Sequence, residues 1–188
     1  MKWLNNVRVG VKLTSGFVFV ALMVVAVAVF GYLNMGHINQ GLTEMYQDRT
    51  LPIEYIGAAA SKLYEIRGDL FKYTLVPTEE REAIKAQLQK HMSQIEEGID
   101  RYRATTLTEE ETAALADFDS FWVTYKAATE KTIGLVDANN MKSARASLMD
   151  GGSTANARQP VDAAMTGLVE INARRAEEIS QQGNETFA

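Results

Sequence analysis

The chain has 188 residues, of which 46% are hydrophobic, with no cysteine, two histidines and a formal charge of −5. The lack of cysteine excludes disulfides, thiol nucleophiles, cysteine zinc sites and covalent haem attachment, and the acidic balance argues against a nucleic-acid partner, which needs a basic face. Neither His37 nor His91 stands in a metal-ligand spacing, and glycine-rich phosphate loops, Gly-x-Ser-x-Gly and His-Glu-x-x-His are all missing, so the sequence points to no enzyme and calls for no cofactor.

Lys2, Arg8 and Lys12 precede 24 uncharged residues, Leu13 to Gly36, and the first acidic residue of the chain is Glu44. About 20 residues of helix cross a hydrocarbon core of roughly 30 Å. A cleaved secretory signal is the competing reading, since Ala26-Val27-Ala28 has the small-x-small form. The apolar character continues past it through Val29, Phe30, Tyr32 and Leu33, with no Pro or Gly-Ser break, which favours an uncleaved span over residues 13–33. The basic tip then places residues 1–12 in the cytoplasm, with Trp3 and Tyr32 as interfacial anchors, and residues 34–188 outside. All 24 acidic residues but only 16 of the 19 basic ones follow the span, leaving that part at a formal charge of −8.

Beyond the span the apolar period is helical. The first outer helix, about 34–76, continues out of the membrane segment. Its heptad seam is Ile53, Ile56, Ala60, Leu63, Arg67, Leu70 and Thr74, with Lys62, Glu65, Asp69 and Lys72 on the water side. Pro52 predicts a kink within it. A second helix, about 78–103, is capped by Thr78 and buries Ile84, Leu88, Met92, Ile95, Ile99 and Tyr102. A third, about 109–138, opens on a Thr108/Glu111 capping box and buries Leu115, Phe118, Trp122, Tyr125, Ile133 and Val136. A short helix at 141–149 precedes Gly151-Gly152. The fourth, about 153–188, buries Val161, Met165, Leu168 and Ile179. Four long helices with short connections predict an all-α, antiparallel up-down-up-down four-helix bundle whose first helix is continuous with a transmembrane helix. A fourth helix that returns towards the membrane and ends among Gln181, Asn184 and Glu185 predicts a second span beyond Ala188.

Several features resemble the N-terminal sensory part of a bacterial methyl-accepting chemotaxis receptor of the four-helix-bundle ligand-binding type. They are the basic start and span, Tyr46-Gln47-Asp48-Arg49-Thr50-Leu51-Pro52, then Leu63-Tyr64-Glu65-Ile66-Arg67, the aromatics Phe118, Phe121 and Trp122, and the break before the fourth helix. The resemblance covers nearly the whole chain. It implies a homodimer in a bacterial inner membrane, with the sensory domain in the periplasm and pockets far from the membrane near the subunit interface. It also implies a relay by displacement of the fourth helix to cytoplasmic signalling parts. The same bundle also fits the front of a histidine kinase or a cyclic-nucleotide enzyme, and cleavage after Ala28 would leave a secreted bundle.

Arg67 is the leading ligand candidate, because a seam guanidinium needs a partner. That partner is either Asp117 or Asp119, or water reached by snorkelling, or the carboxylate of a ligand held bidentately. Equal rise along the helices puts Tyr64, Arg67, Trp122 and Tyr125 in one layer, with His91 a little below as a satisfied half-buried histidine. Thr154, Arg158 and Gln159, with Ser153 and Asn156, gather donors at the start of the fourth helix, where free N–H groups favour anions; in the family this stretch commonly completes the pocket. Arg49, on the extended seam, reads as structural. Arg67 stands alone between Arg49 and Arg81, unlike the clustered arginines of aspartate-type receptors. The expected ligand is therefore a small carboxylate or amino acid, an aromatic acid on Trp122, or a periplasmic binding protein acting in place of a free solute.

Overall fold

The computed structural model describes residues 8–186, with side-chain surroundings for all of these except 37, 44 and 182–186. Lys2, Trp3 and the side chains of His37, Asn184 and Glu185 fall outside it. The chain forms two units, Met1–Thr43 and Glu44–Ala188. In the first, helix α1 (Val9–Met45) is exposed along the uncharged run and is long and apolar enough to cross a membrane.

In the second unit a π-helical turn, Tyr46–Thr50, leads into α2 (Leu51–Tyr73). Before Pro52, where the sequence predicts a kink, the structure has this wider turn. Pro52 has no N–H for the carbonyl of Asp48, four residues back, and its ring crowds that turn. The backbone widens so that the Leu51 N–H donates to the Tyr46 carbonyl. The Thr50 hydroxyl donates to the Met45 carbonyl at 3.1 Å, and Arg49 Nη1 donates at 2.9 Å to the carbonyl that Pro52 leaves free.

Next come α3 (Thr78–Arg103), α4 (Glu109–Asp137), the short α5 (Met141–Leu148) and α6 (Ser153–Thr186). The capping box of α4 is complete: Glu111 N–H donates to Thr108 Oγ1 at 3.2 Å, and Thr108 N–H to Glu111 Oε2 at 2.8 Å. The cap expected from Thr78 belongs instead to extended Pro77, with Thr78 as the first helical residue and no side-chain cap bond. Asn139 ends α4 in the left-handed region (φ 57°), and Asn140 Oδ1 accepts from the Ser143 N–H to start α5. Gly152 is required where α5 meets α6, because a Cβ there would overlap the carbonyl oxygens of Ala146 and Ser147.

Neighbouring long helices run antiparallel. Late α2 meets early α3 through Arg81 over the Tyr73 ring at 5.9 Å, and early α2 meets late α3 where a Cβ on Gly98 would stand 3.2 Å from the Tyr55 carbonyl. Lys85 and Asp137 pair α3 with α4, Thr132 and Thr154 pair α4 with α6, and Tyr64 and Asp162 pair α2 with α6. The diagonal α2 and α4 run parallel, joined by Tyr73 and Asp137 at one end and by Arg49 and Glu111 at the other. The architecture is the predicted up-down-up-down four-helix bundle, with α5 packed at the end where α2 turns into α3.

The core seam of α2 differs from the expected one. Pro52, Ile56, Ala59, Leu63, Ile66, Leu70 and Tyr73 are buried, whereas Ile53 and Ala60 are half-buried and Arg67 is exposed. Two stripes with the same three-and-four spacing lie side by side on this helix, and the one richer in bulky apolar residues takes the core. Lys62, Glu65 and Asp69, expected in water, border α3 and are half-buried. Small shifts of the same kind bury His91 rather than Met92, and Thr129 and Thr132 rather than Ile133, while Ile179, expected in the core of α6, is half-buried.

Candidate functional site

At one end of the bundle α2, α4, α5 and α6 line a cavity of about 10 Å³ through Arg67, Leu70, Tyr125, Leu148, Thr154, Ala155 and Arg158. That is room for about one water molecule. The Thr154 hydroxyl is buried one residue into α6, 2.8 Å from that of Thr132, which lies 2.8 Å from that of Ser147. Thr154 also donates to the Ala128 carbonyl at 3.2 Å. This hydroxyl chain pins the start of α6 against α4.

Arg158 stands over the Tyr64 ring at 5.2 Å and meets Asp162 at 3.4 Å, while its buried Nε has no partner. The Tyr64 hydroxyl donates to the same Asp162 carboxylate at 2.8 Å, although 51% of Tyr64 is exposed. Arg67 lies 5.7 Å from the Phe71 ring and pairs with no carboxylate among the described residues. Asp119, one partner considered for it, pairs with Arg103 instead. Tyr125 is buried with its hydroxyl unpartnered, and the neighbouring Thr129 hydroxyl is unpartnered too. Burial pushes the Tyr125 phenol up to about 12, against the opposing pull of Thr129 and of the charges on Arg158 and Arg67. Tyr125→Phe removes a buried group that satisfies nothing, so melting should be unchanged or raised, within about 1 kcal/mol. A loss well beyond that in a thermal melt would mean the hydroxyl is bonded in the native state.

Four of the sequence-predicted residues (Arg67, Tyr125, Thr154 and Arg158) therefore meet at one cavity, and Tyr64 reaches its rim through Arg158. The other two stand apart. Trp122 stacks near Tyr125 with centroids 5.8 Å apart, but its indole N–H donates to Glu96 on α3 at 3.0 Å, which turns the ring away from the cavity. Gln159 is exposed, with no hydrogen bond from its side chain among the described residues.

His91 is buried between two carboxylates of α2, with Nε2 at 2.9 Å from Glu65 and Nδ1 at 3.1 Å from Asp69. The Lys62 ammonium, bonded to Glu65 at 2.7 Å, holds that carboxyl below its usual range. The two acids approach opposite nitrogens of the ring, so the three groups do not converge on a point, and no metal-binding cluster occurs among the described residues. Sequence reasoning missed Asn172 and the burial of Glu111 as an acceptor. Asn172 follows Val161, Met165 and Leu168 in the same three-and-four spacing, and a polar residue on an apolar stripe was the available signal.

Two arginines, Arg67 and Arg158, and the hydroxyls of Tyr125 and Thr154 thus gather where the 34-residue α6 begins. A family model described as a four helix bundle sensory module for signal transduction matches residues 6–187. Among the curated proteins, none matches the chain. With the helices in the order and direction that such a module requires, the chain belongs to the four-helix-bundle sensory modules of methyl-accepting chemotaxis signal transduction.

Proposed function

We propose that the bundle senses a small anionic solute, an amino acid or organic acid, held between Arg67 and Arg158 at the start of α6. The observation that carries this reading is the cavity itself: cationic and hydroxyl groups converge on a space of about 10 Å³, too small for such a solute. Binding then requires α6 and α2 to part, and a ligand that fits only the parted arrangement shifts the population towards it. That displacement of α6 is the signal. The domain lies in the periplasm, anchored by a span over residues 13–33 in a bacterial inner membrane, and works as a homodimer. Support for the dimer comes from an exposed stripe on α2, Gly57, Ser61, Tyr64 and Gly68, spaced by four, three and four residues. A second copy covering it would bring a second Arg67 to the same region.

The test is a thermal shift of the full chain in detergent against a panel of amino and organic acids. A ligand at 100 times its Kd stabilises by about 2.7 kcal/mol, which raises the melting temperature by about 5 °C or more for a domain of this size. The expected result is one chemical class that does this, with the shift lost in Arg67→Ala and Arg158→Ala. If no compound shifts the transition, or if both variants respond as wild type, direct anion sensing at this site is wrong.

A further inference from the structure

The opposite end of the bundle holds a buried polar network to which each of the four long helical segments gives one residue. They are Arg49 from the π turn before α2, Tyr102 from α3, Glu111 from α4 and Asn172 from α6, none more than 4% exposed. Glu111 Oε1 accepts from the Tyr102 hydroxyl at 2.8 Å and from Asn172 Nδ2 at 2.9 Å, and stands 3.7 Å from Arg49 Nη1. Asn172 Nδ2 also lies 2.6 Å from the Tyr102 oxygen and 3.0 Å from the Leu168 carbonyl.

Two polar atoms of this network have no partner, and they are complementary: Arg49 Nε, a donor, and Asn172 Oδ1, an acceptor. Reversing the Asn172 amide does not repair this. It would turn Oδ1 onto a carboxylate and a backbone carbonyl, both acceptors, so the chemistry of the surroundings fixes the orientation. A buried donor and a buried acceptor left unmade in one network disfavour the arrangement that leaves them so. Pairing them with each other would satisfy both.

We infer that these four residues form a latch with two positions. In the position seen here α6 is held through Asn172 by α3 and α4. In the other, α6 has moved relative to the π turn, and Arg49 Nε–H donates to Asn172 Oδ1. The π turn suits this role, because Arg49 is carried on backbone already widened by Pro52, and its Nη1 is engaged with the Asp48 carbonyl rather than bonded tightly to Glu111. The latch is a discrete two-state element that any displacement of α6 must pass through, whatever the solute. It goes beyond the anion-sensing reading and does not depend on it.

Nitrogen-15 relaxation dispersion on the full chain in micelles tests it, read at the Asn172 side-chain amide and at Arg49 Nε–H. Wild type should show microsecond-to-millisecond exchange at both sites. Arg49→Lys keeps the cation beside Glu111 but has no Nε, so the exchange at Asn172 should be lost while the folded spectrum remains. Asn172→Leu should abolish the exchange at Arg49 in the same way. Flat wild-type profiles at both sites, or an unchanged Asn172 profile in Arg49→Lys, would overturn the latch; the wild-type measurement decides even if a variant does not fold.

Discussion

Glu111→Ala is expected to cost about 3–5 kcal/mol, as removal of one partner from a buried ion pair does. The change strips the acceptor from the Tyr102 hydroxyl, from Asn172 Nδ2 and from the Thr108 N–H, and leaves the buried Arg49 without a carboxylate. It also breaks the capping box of α4. Thermal melts of the full chain should show a fall of about 10 °C; a fall of less than about 2 °C would show that the network adds nothing to stability. Acid melts carry the same test in another form. Burial alone would push the Glu111 carboxyl up, but the Thr108 N–H, the Tyr102 and Thr108 hydroxyls and the Arg49 charge outweigh it and hold the group below its ordinary 4.5. A folded value below the unfolded one means that the stabilisation is fully present above the ordinary carboxylate range and is lost as pH falls through the folded value. Wild-type stability should therefore decline as pH drops below about 4.5, and Glu111→Gln should remove part of that slope. The same slope in both proteins would assign acid sensitivity to other carboxylates.

Ile66→Ala is expected to cost about 3 kcal/mol, whereas Arg67→Ala should change the stability of the unliganded protein by no more than about 0.5 kcal/mol. Ile66 is fully buried, so truncation leaves a cavity between the packed helices; Arg67 is exposed and pairs with no carboxylate among the described residues. Chemical denaturation of the two variants side by side separates the two possible seams of α2. A large loss from Arg67→Ala with a small one from Ile66→Ala would put the core on the stripe through Arg67. The same contrast bears on function, because a side chain that adds nothing to stability yet governs the response to a carboxylate is acting on the ligand.

The helices were legible because their signals are local. Pro77, the Thr108/Glu111 pair, Asn139-Asn140 and Gly151-Gly152 mark ends through chemistry within three or four residues. The candidate site was legible in part for a different reason. Thr154 and Arg158 lie one turn apart on one helix, so they share a face whatever the neighbours do, and equal rise along the bundle brought Tyr64, Arg67 and Tyr125 near one level. The same argument failed for Trp122, since register sets height but not direction, and Glu96 on α3 supplied the acceptor that turned the indole away.

By itself the sequence determined an all-helical chain with an uncharged run long enough to span a membrane, and the order of helices in a four-helix bundle. These follow from periodicity, caps and breakers that act within a turn or two. Only the tertiary structure decided which of two adjacent stripes on α2 enters the core, that Arg67 stands outside it, and that Arg49, Tyr102, Glu111 and Asn172 meet in the interior. The stripe of α6 marks Asn172 as a polar residue among apolar ones, but which partners it meets, 61 and 70 residues away, is not written in local pattern. Burial of a charge depends on which helix faces it, and that choice is made by the packing of all four together.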